Sequence, residues 1–420
     1  MLRKAWILSF PAFLMLSSCF VSRKATPPEA RIPIMDPVVR TIDTTIHLTI
    51  DTSARVIPDT LDVVDSLAID TLIQDTLVID TALEVDSLQV EKYLKDTICI
   101  IGTGDIMPGT NYPDARYLPP GDNCGALFLP VKDILQAADV TFGNLEGVFC
   151  SEDGTPKNCK DPKVCYTFRM PDHYLDCILD AGYDVLSVAN NHVNDFGYVG
   201  RLSTARRLQE AGVPFAGLQG HTSAVFTLGD VTYGFAAFAP HSGTVDLKDY
   251  RGAADIVAGL DSVCDIVIVS FHGGAEGRDY QHVPCTDEEY LGYNRGNVCK
   301  LAHAVVDAGA DVVFGHGPHV TRAMELYNER LICYSLGNFC TYARFNLSGP
   351  NGIAPIVKVF TDRDGKFLGG EVVSVYQPGE GGPHIDSQHR AAIKLRDLSL
   401  IDFPQSKLVI GEDGMLSIQN

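Results

Sequence analysis

Past its first nineteen residues, the chain has no apolar run near the ~20 residues that a helix needs to cross a bilayer, which excludes a later spanning segment. It has no basic stripe either. Its 33 Lys and Arg stand against 53 Asp and Glu for a formal net charge of −20, so a phosphate backbone finds nothing to lie on and nucleic acid is excluded as a partner. None of its 12 cysteines forms a CxxC pair, so the usual thiolate zinc signature is missing. What remains is a 420-residue chain with 45% apolar residues, enough for one large or two ordinary domains.

The charge is unevenly spread. Residues 1–40 hold six Lys and Arg against two Asp and Glu, whereas residues 41–90 hold one against ten. Arg3 and Lys4 precede an apolar segment from Ala5 to Leu16, the order of an export signal over residues 1–19. The closing Leu16, Ser17, Ser18 and Cys19 resemble a bacterial lipobox. That resemblance implies that Cys19 is lipidated and tethers the mature chain to a membrane of the bacterial cell envelope. An ordinary cleaved signal or an uncleaved anchor is the alternative. Residues 20–92 are expected to form an acidic tether, because an Asp-Thr/Ser unit recurs at Asp59, Asp65, Asp70, Asp75, Asp80 and Asp86 without a sustained helical or two-residue period.

From about residue 93 to 420 the composition is that of a globular α/β domain. Strands are expected at Ile98 to Thr103, Val140 to Asn144, Val185 to Asn190, Val231 to Ala239, Ile266 to Phe271, Val312 to Gly315 and Leu331 to Leu336. Helices are expected at Leu129 to Ala138, Pro171 to Ala181, Gly200 to Ala211, Asp249 to Leu260 and Thr286 to Ala308. Later strands are expected near Ile353 to Phe360 and Phe367 to Tyr376, then a short helix near Arg390 and a final strand pair. In such folds ligands gather beyond the carboxyl ends of the strands.

Those ends carry metal-ligand residue types. Asp105 follows the first strand and Glu146 the second; Asn190, Asn191, His192 and Asp195 follow the third. His272 and Glu276 follow the strand at Ile266, and His316 and His319 the strand at Val312. Each alone has an ordinary structural explanation, such as a cap, a turn or a satisfied histidine. Five such clusters at five strand ends point to a centre of one or two metal ions.

GDIM (Gly104 to Met107), NLE (Asn144 to Glu146), ANNHVNDFG (Ala189 to Gly197), HGGAE (His272 to Glu276), GHGPH (Gly315 to His319) and YSLGNF (Tyr334 to Phe339) occur in the order found in the capsule-synthesis protein CapA family. The chain resembles that family over roughly residues 97 to 345. The family is associated with poly-γ-glutamate capsule synthesis and is similar in fold to the calcineurin-like metallophosphoesterases. The resemblance implies a four-layer α/β/β/α sandwich. It also implies metal ligation by Asp105, Glu146, Asn191, His272, His316 and His319, with His192 as a general acid held by Asp195. Asn144, Asn190, Glu276 and Arg278 are then assigned to substrate, and Arg169, Tyr280 and His282 are further candidates for binding an anion. One departure stands out: Met107 occupies the position where metallophosphoesterases carry a histidine. Mn, Zn and Fe all suit the donor set.

Two functions follow from this. One is a lipid-anchored metal-dependent hydrolase or transferase acting on an anionic polymer or phosphoester in capsule or poly-γ-glutamate synthesis or export. The other is a non-catalytic accessory or polymer-binding factor of a membrane synthase. Eleven cysteines remain after Cys19. Cys124, Cys150, Cys159 and Cys165 are placed where disulfides would clip a long insertion, whereas Cys99, Cys264 and Cys333 are expected as thiols in strands.

Overall fold

The computed structural model describes residues 97–151, 154–158 and 165–419. The export signal, the tether, Cys19 and Cys159 lie outside these residues.

Two sheets stack face to face. The first contains the parallel strands β1 (Ile98–Met107), β2 (Val140–Leu145) and β3 (Val185–Ser187). Antiparallel strands Ile353–Thr361 and Phe367–Tyr376 extend it beyond β1, and Leu408–Ile410 and Met415–Ile418 close that edge. The second sheet is built on the parallel strands β4 (Val231–Phe238), β5 (Ile266–His272) and β6 (Val312–His316).

The apolar runs explain the layering, because successive side chains of a strand face opposite ways. In β5, Ile266 and Ile268 join the core between the sheets, while Val267 and Val269 join an outer core against the helices Tyr250–Asp261 and Val298–Asp307. In β1, Ile98 and Ile100 face the second sheet, and Ile101 faces the helices Tyr174–Asp180 and Gly197–Glu210. The result is the expected four-layer α/β/β/α arrangement. Phe142 and Phe314 stack between the sheets at 5.3 Å. A Cβ at Gly102 would lie 2.3 Å from the Phe314 ring, so the chain keeps glycine there.

Several elements differ from the sequence expectation. The single helix over Thr286 to Ala308 is a hairpin, Glu288–Tyr290 with Tyr293–Gly296, followed by the helix Val298–Asp307. Leu291 and Gly292 take positive φ in the turn, and the Asn297 side chain caps the helix by accepting from the Lys300 N–H at 3.0 Å. The helix over Leu129 to Ala138 shortens to Lys132–Leu135, with Val131 at φ −124° separating it from the short helix Gly125–Phe128. Strand β3 ends at Ser187, which leaves Ala189 to Asn191 as loop, and the last run before the YSLGNF motif is a strand only over Arg330–Cys333. Ser223–Leu228 and Met324–Tyr327 are edge strands of the second sheet that the sequence reading passed over.

The cysteines also divide differently. Cys124 bonds Cys177 on a neighbouring helix, and Cys285 bonds Cys299, joining the base of the hairpin to the helix after it. Cys165 is disulfide-bonded, while Cys99, Cys150, Cys264, Cys333 and Cys340 remain thiols.

Candidate metal centre

The carboxyl ends of β1, β2, β5 and β6 meet where the two sheets converge. Asp105 and Asn144 are register partners on β1 and β2, and His272 and His316 are register partners on β5 and β6. Asp105, Glu146 and His272 are all buried, and each offers a ligand atom that lies within 4.8 Å of the other two.

The charges inside this cluster are arranged by hydrogen bonds. Asn144 Nδ2 donates to Asp105 Oδ1 at 2.8 Å and to Glu146 Oε2 at 2.6 Å, so one amide spans both carboxylates. Asn190 Nδ2 donates in turn to Asn144 Oδ1 at 3.2 Å and to the Leu145 carbonyl at 2.8 Å. The two asparagines expected at the substrate thus sit behind the carboxylates, their amides committed to orienting them. Burial opposes ionisation of Asp105, but the hydrogen bond and charge of His319 outweigh it and hold the carboxyl below its usual range. Burial, followed by the charge of Asp105, pushes Glu146 well above that range.

The histidines fall into distinct environments. His272 has no hydrogen-bond partner at either ring nitrogen, and burial, with His241 and His319 beside it, holds its pKa well below the usual value. His319 sits 2.8 Å from Asp105 Oδ2 through Nδ1 and 4.0 Å from Glu146 Oε1 through Nε2. Burial alone would depress it, but the Asp105 carboxylate pushes it up to about 10. Its φ of 57° is left-handed, and Asn338 and Asn351 both donate to its carbonyl and hold it in that conformation. His316 faces elsewhere: Nε2 is 3.0 Å from the Thr103 carbonyl and Nδ1 is 3.4 Å from Ser270 Oγ. A ligand role for His316 requires that ring to release Thr103.

On the third strand end, His192 Nδ1 is held by Asp195 Oδ2 at 2.7 Å, and Nε2 points to Glu146 Oε1 at 3.9 Å. Burial lowers the His192 pKa despite the Asp195 carboxylate. Asp195 also accepts from the Phe168 N–H and pairs with Lys157 at 2.6 Å. Asn191 Oδ1 is buried without a hydrogen-bond partner.

The loop after β5 holds the remaining candidates apart. Glu276, expected at the substrate, pairs with Arg295, and Arg278 and Tyr280 lie exposed. His282 pairs with Asp402 at 2.7 Å. The sequence reading missed three residues of this wall. His241 lies three residues beyond the end of β4, and His272 closes β5; the His241 ring lies 5.9 Å from that of His272 and burial pushes its pKa down to about 3. Arg295 Nη1 lies 3.1 Å from His241 Nε2. Arg322, fully buried, clamps Glu288 through two 2.8 Å bonds and reaches the Tyr280 and Ala275 carbonyls. Strand-end position alone would have flagged His241; the arginines arrive from the hairpin and a later loop, without a local signal.

A donor set of two carboxylates and an imidazole, with Glu146 Oε1, Asn191 Oδ1 and both His272 nitrogens lacking hydrogen-bond partners, fits a hard or borderline divalent cation. The fold and site together define an α/β protein with a candidate metal centre at its strand ends. Residues 99–343 match the family described as "Bacterial capsule synthesis protein PGA_cap", and the chain belongs to that family. It is similar to "Capsule biosynthesis protein CapA" of Bacillus anthracis, 29% identical over 259 residues, which cover 56% of this chain and 58% of that protein. It is also similar to "PGA biosynthesis protein CapA" of Bacillus subtilis (strain 168), 28% identical over 268 residues, covering 60% and 65%. The chain therefore spans less than two thirds of the length of these relatives. Among solved structures it is similar to the purple acid phosphatase PPD1 from yellow lupin, with 10% identity and a TM-score of 0.36 over 67% of this chain and 52% of that one. A Staphylococcus aureus chain described as a 5'-nucleotidase matches at 16% identity and TM-score 0.39, over 69% and 55%. The chemistry of the site rests on its own residues.

Proposed function

We propose that the chain is a lipid-anchored protein of the bacterial cell envelope that acts as a metal-dependent hydrolase or transferase on an anionic polymer or phosphoester in capsule or poly-γ-glutamate synthesis or export. The observation that carries this is the buried Asp105, Glu146 and His272 cluster, in which Glu146 Oε1 and both His272 ring nitrogens lack the hydrogen-bond partners that buried polar groups require. Family membership and the capsule-synthesis names of the relatives support the biological setting. Cys19 supports the anchor, and among the described residues no helix is long and apolar enough to cross a membrane.

Asp105, Glu146, His272 and Asn191, with His319 and a reoriented His316, are the residues that would hold one or two divalent ions. Such ions supply Lewis-acid polarisation of a substrate oxygen. Asn144 fixes the two carboxylates, and the stacked rings of Phe168 and Phe345 exclude water from the side of the cluster near His192 and His319. His192 is the residue placed to move a proton. With Nδ1 committed to Asp195, Nε2 faces the cluster and exchanges the proton there.

Full-length protein reconstituted with Mn, Zn or Fe should turn over a phosphoester or a γ-linked glutamate polymer, and His192→Ala should slow that turnover by about 100-fold or more. No turnover of either substrate class with metal bound would sink the catalytic assignment. A Cys19→Ser variant should move from the membrane to the soluble fraction. Met107 favours the accessory-factor alternative: it is fully buried in the apolar cluster, where the phosphoesterases carry a ligand histidine.

A further inference from the structure

Two arginines, Arg169, a candidate for binding an anion, and Arg344, adjoin aromatic residues that border the candidate metal centre. Arg169 follows Phe168, whose ring is 4.4 Å from that of His192; Arg344 precedes Phe345, whose ring is 6.2 Å from that of His319. Phe168 and Phe345 stack on each other at 5.0 Å. Each arginine is thus the chain neighbour of one member of the aromatic pair that borders the cluster.

They also flank one residue. Arg169 lies over the Tyr112 ring at 5.8 Å and the Phe196 ring at 5.2 Å, with Nε donating to Asn111 Oδ1. Arg344 donates to the Tyr112 carbonyl at 3.3 Å and sits between the rings of Tyr117 and Tyr166, at 5.1 Å and 5.5 Å. Among the described residues neither has a carboxylate partner. Asp114, an acid that feels the charge of Arg344, has both oxygens occupied by Arg116. In a chain of net charge −20, two half-buried like charges with no carboxylate partner among the described residues call for explanation.

A second observation is independent of charge. Ala343 and Arg344 both adopt left-handed backbone, with φ of 51° and 54°, separated by one residue from the end of the strand Asn338–Thr341. Consecutive non-glycine residues rarely take this conformation, and it persists where the surroundings enforce it. Here Ala343 N–H is fixed by the Glu380 carbonyl at 2.7 Å, and the bend carries the Arg344 guanidinium to the Tyr112 carbonyl and the Tyr117 and Tyr166 rings.

We infer that Arg169 and Arg344 form an anion subsite that receives an oxyanionic group of the substrate remote from the bond at the metal centre. The inference rests on the proposed reading of a substrate bound at that centre. It adds that the substrate carries at least two anionic groups, one at the cluster and one beyond Phe168 and Phe345. Aromatic rings position each guanidinium, which spends one N–H on Asn111 Oδ1 or the Tyr112 carbonyl and keeps others for carboxylate or phosphate oxygens. A repeating carboxylate chain and a polyphosphorylated ligand share this chemistry.

The test is calorimetric titration of the full-length protein with two probes, a linear oligoglutamate and tripolyphosphate, each with chelator present and after metal loading. The wild type should bind at least one probe in chelator, where only the arginines contribute, and the tighter probe names the source of the oxyanion. The Arg169→Gln/Arg344→Gln variant should lose about tenfold or more in affinity, as expected for removing charged hydrogen bonds. Arg344→Lys should fall between the two. Melting temperature and metal content, measured in parallel, should match the wild type. Equal affinity of wild type and double variant, or no binding of either probe by the wild type, overturns the subsite. Probe binding in chelator by a protein that takes up no metal would keep the subsite and defeat only the catalytic reading.

Discussion

Replacing Asn144 by aspartate is nearly isosteric and removes the amide that spans Asp105 and Glu146. Both donated bonds end on carboxylates, at 2.8 Å and 2.6 Å, inside a fully buried cluster. Hydrogen bonds to charged groups contribute about 1.5–3 kcal/mol each, so losing two costs about 3–6 kcal/mol before any new repulsion is counted. For a domain of this size each kcal/mol shifts the melting point by about 2 °C, which gives a drop of about 6–12 °C in metal-free buffer. The sign of the pH dependence is also fixed. A protonated new carboxyl restores one donor, so the deficit against wild type should shrink towards acid and grow towards pH 8. Added Mn or Zn should recover part of the loss, because a cation offsets the clustered carboxylates. Differential scanning calorimetry of metal-free wild type and Asn144→Asp at three pH values measures all of this. A variant that melts within 2 °C of wild type throughout would refute the claim that Asn144 holds the two carboxylates.

Other expectations follow from the same contacts. Phe314→Ala removes the stack on Phe142 between the sheets and should destabilise by about 3–5 kcal/mol in urea unfolding. Arg322→Leu leaves Glu288 buried without its partner and frees the Tyr280 and Ala275 carbonyls. It should cost about 3–5 kcal/mol and expose the 275–288 loop to limited proteolysis, and an unchanged digestion pattern would count against it. Asp311 is pushed up to about 6 by burial, against the opposing pull of the Val267 N–H and Arg330. A carboxyl raised in the folded state stabilises below its unfolded value and loses that contribution as pH climbs through 6. The wild type should therefore lose about 2 kcal/mol relative to Asp311→Asn between pH 4 and pH 6, read as diverging urea midpoints.

The layers were legible because buried parallel strands are written as apolar runs. Ile266 to Phe271 and Val312 to Phe314 feed cores on both faces, so nearly every position is apolar and the polar residue that ends each run marks the site. The hairpin at 288–296 was illegible because Glu288, Glu289 and Asn294 look like the polar face of a helix. The turn at Leu291 and Gly292 decides otherwise, and the Cys285–Cys299 bond joins the base of the hairpin to the helix that follows. Cys124 finds Cys177 across 53 residues, a pairing that spacing does not encode. Within the site, strand-end histidines and carboxylates could be named from position. The amide bridge of Asn144, the turn of His316 towards Thr103 and the arrival of Arg295 depend on which loops the sheets bring together.

The most direct test is the metal content of the full-length protein by elemental analysis, with the Asp105→Asn/His272→Ala variant alongside and a thermal melt on each. We expect about one to two equivalents of Mn, Zn or Fe in the wild type, loss of that metal in the variant, and a melting temperature that metal raises only in the wild type. A wild type that takes up no ion after reconstitution with all three, or a variant that retains the same stoichiometry, would contradict a metal centre built on Asp105, Glu146 and His272.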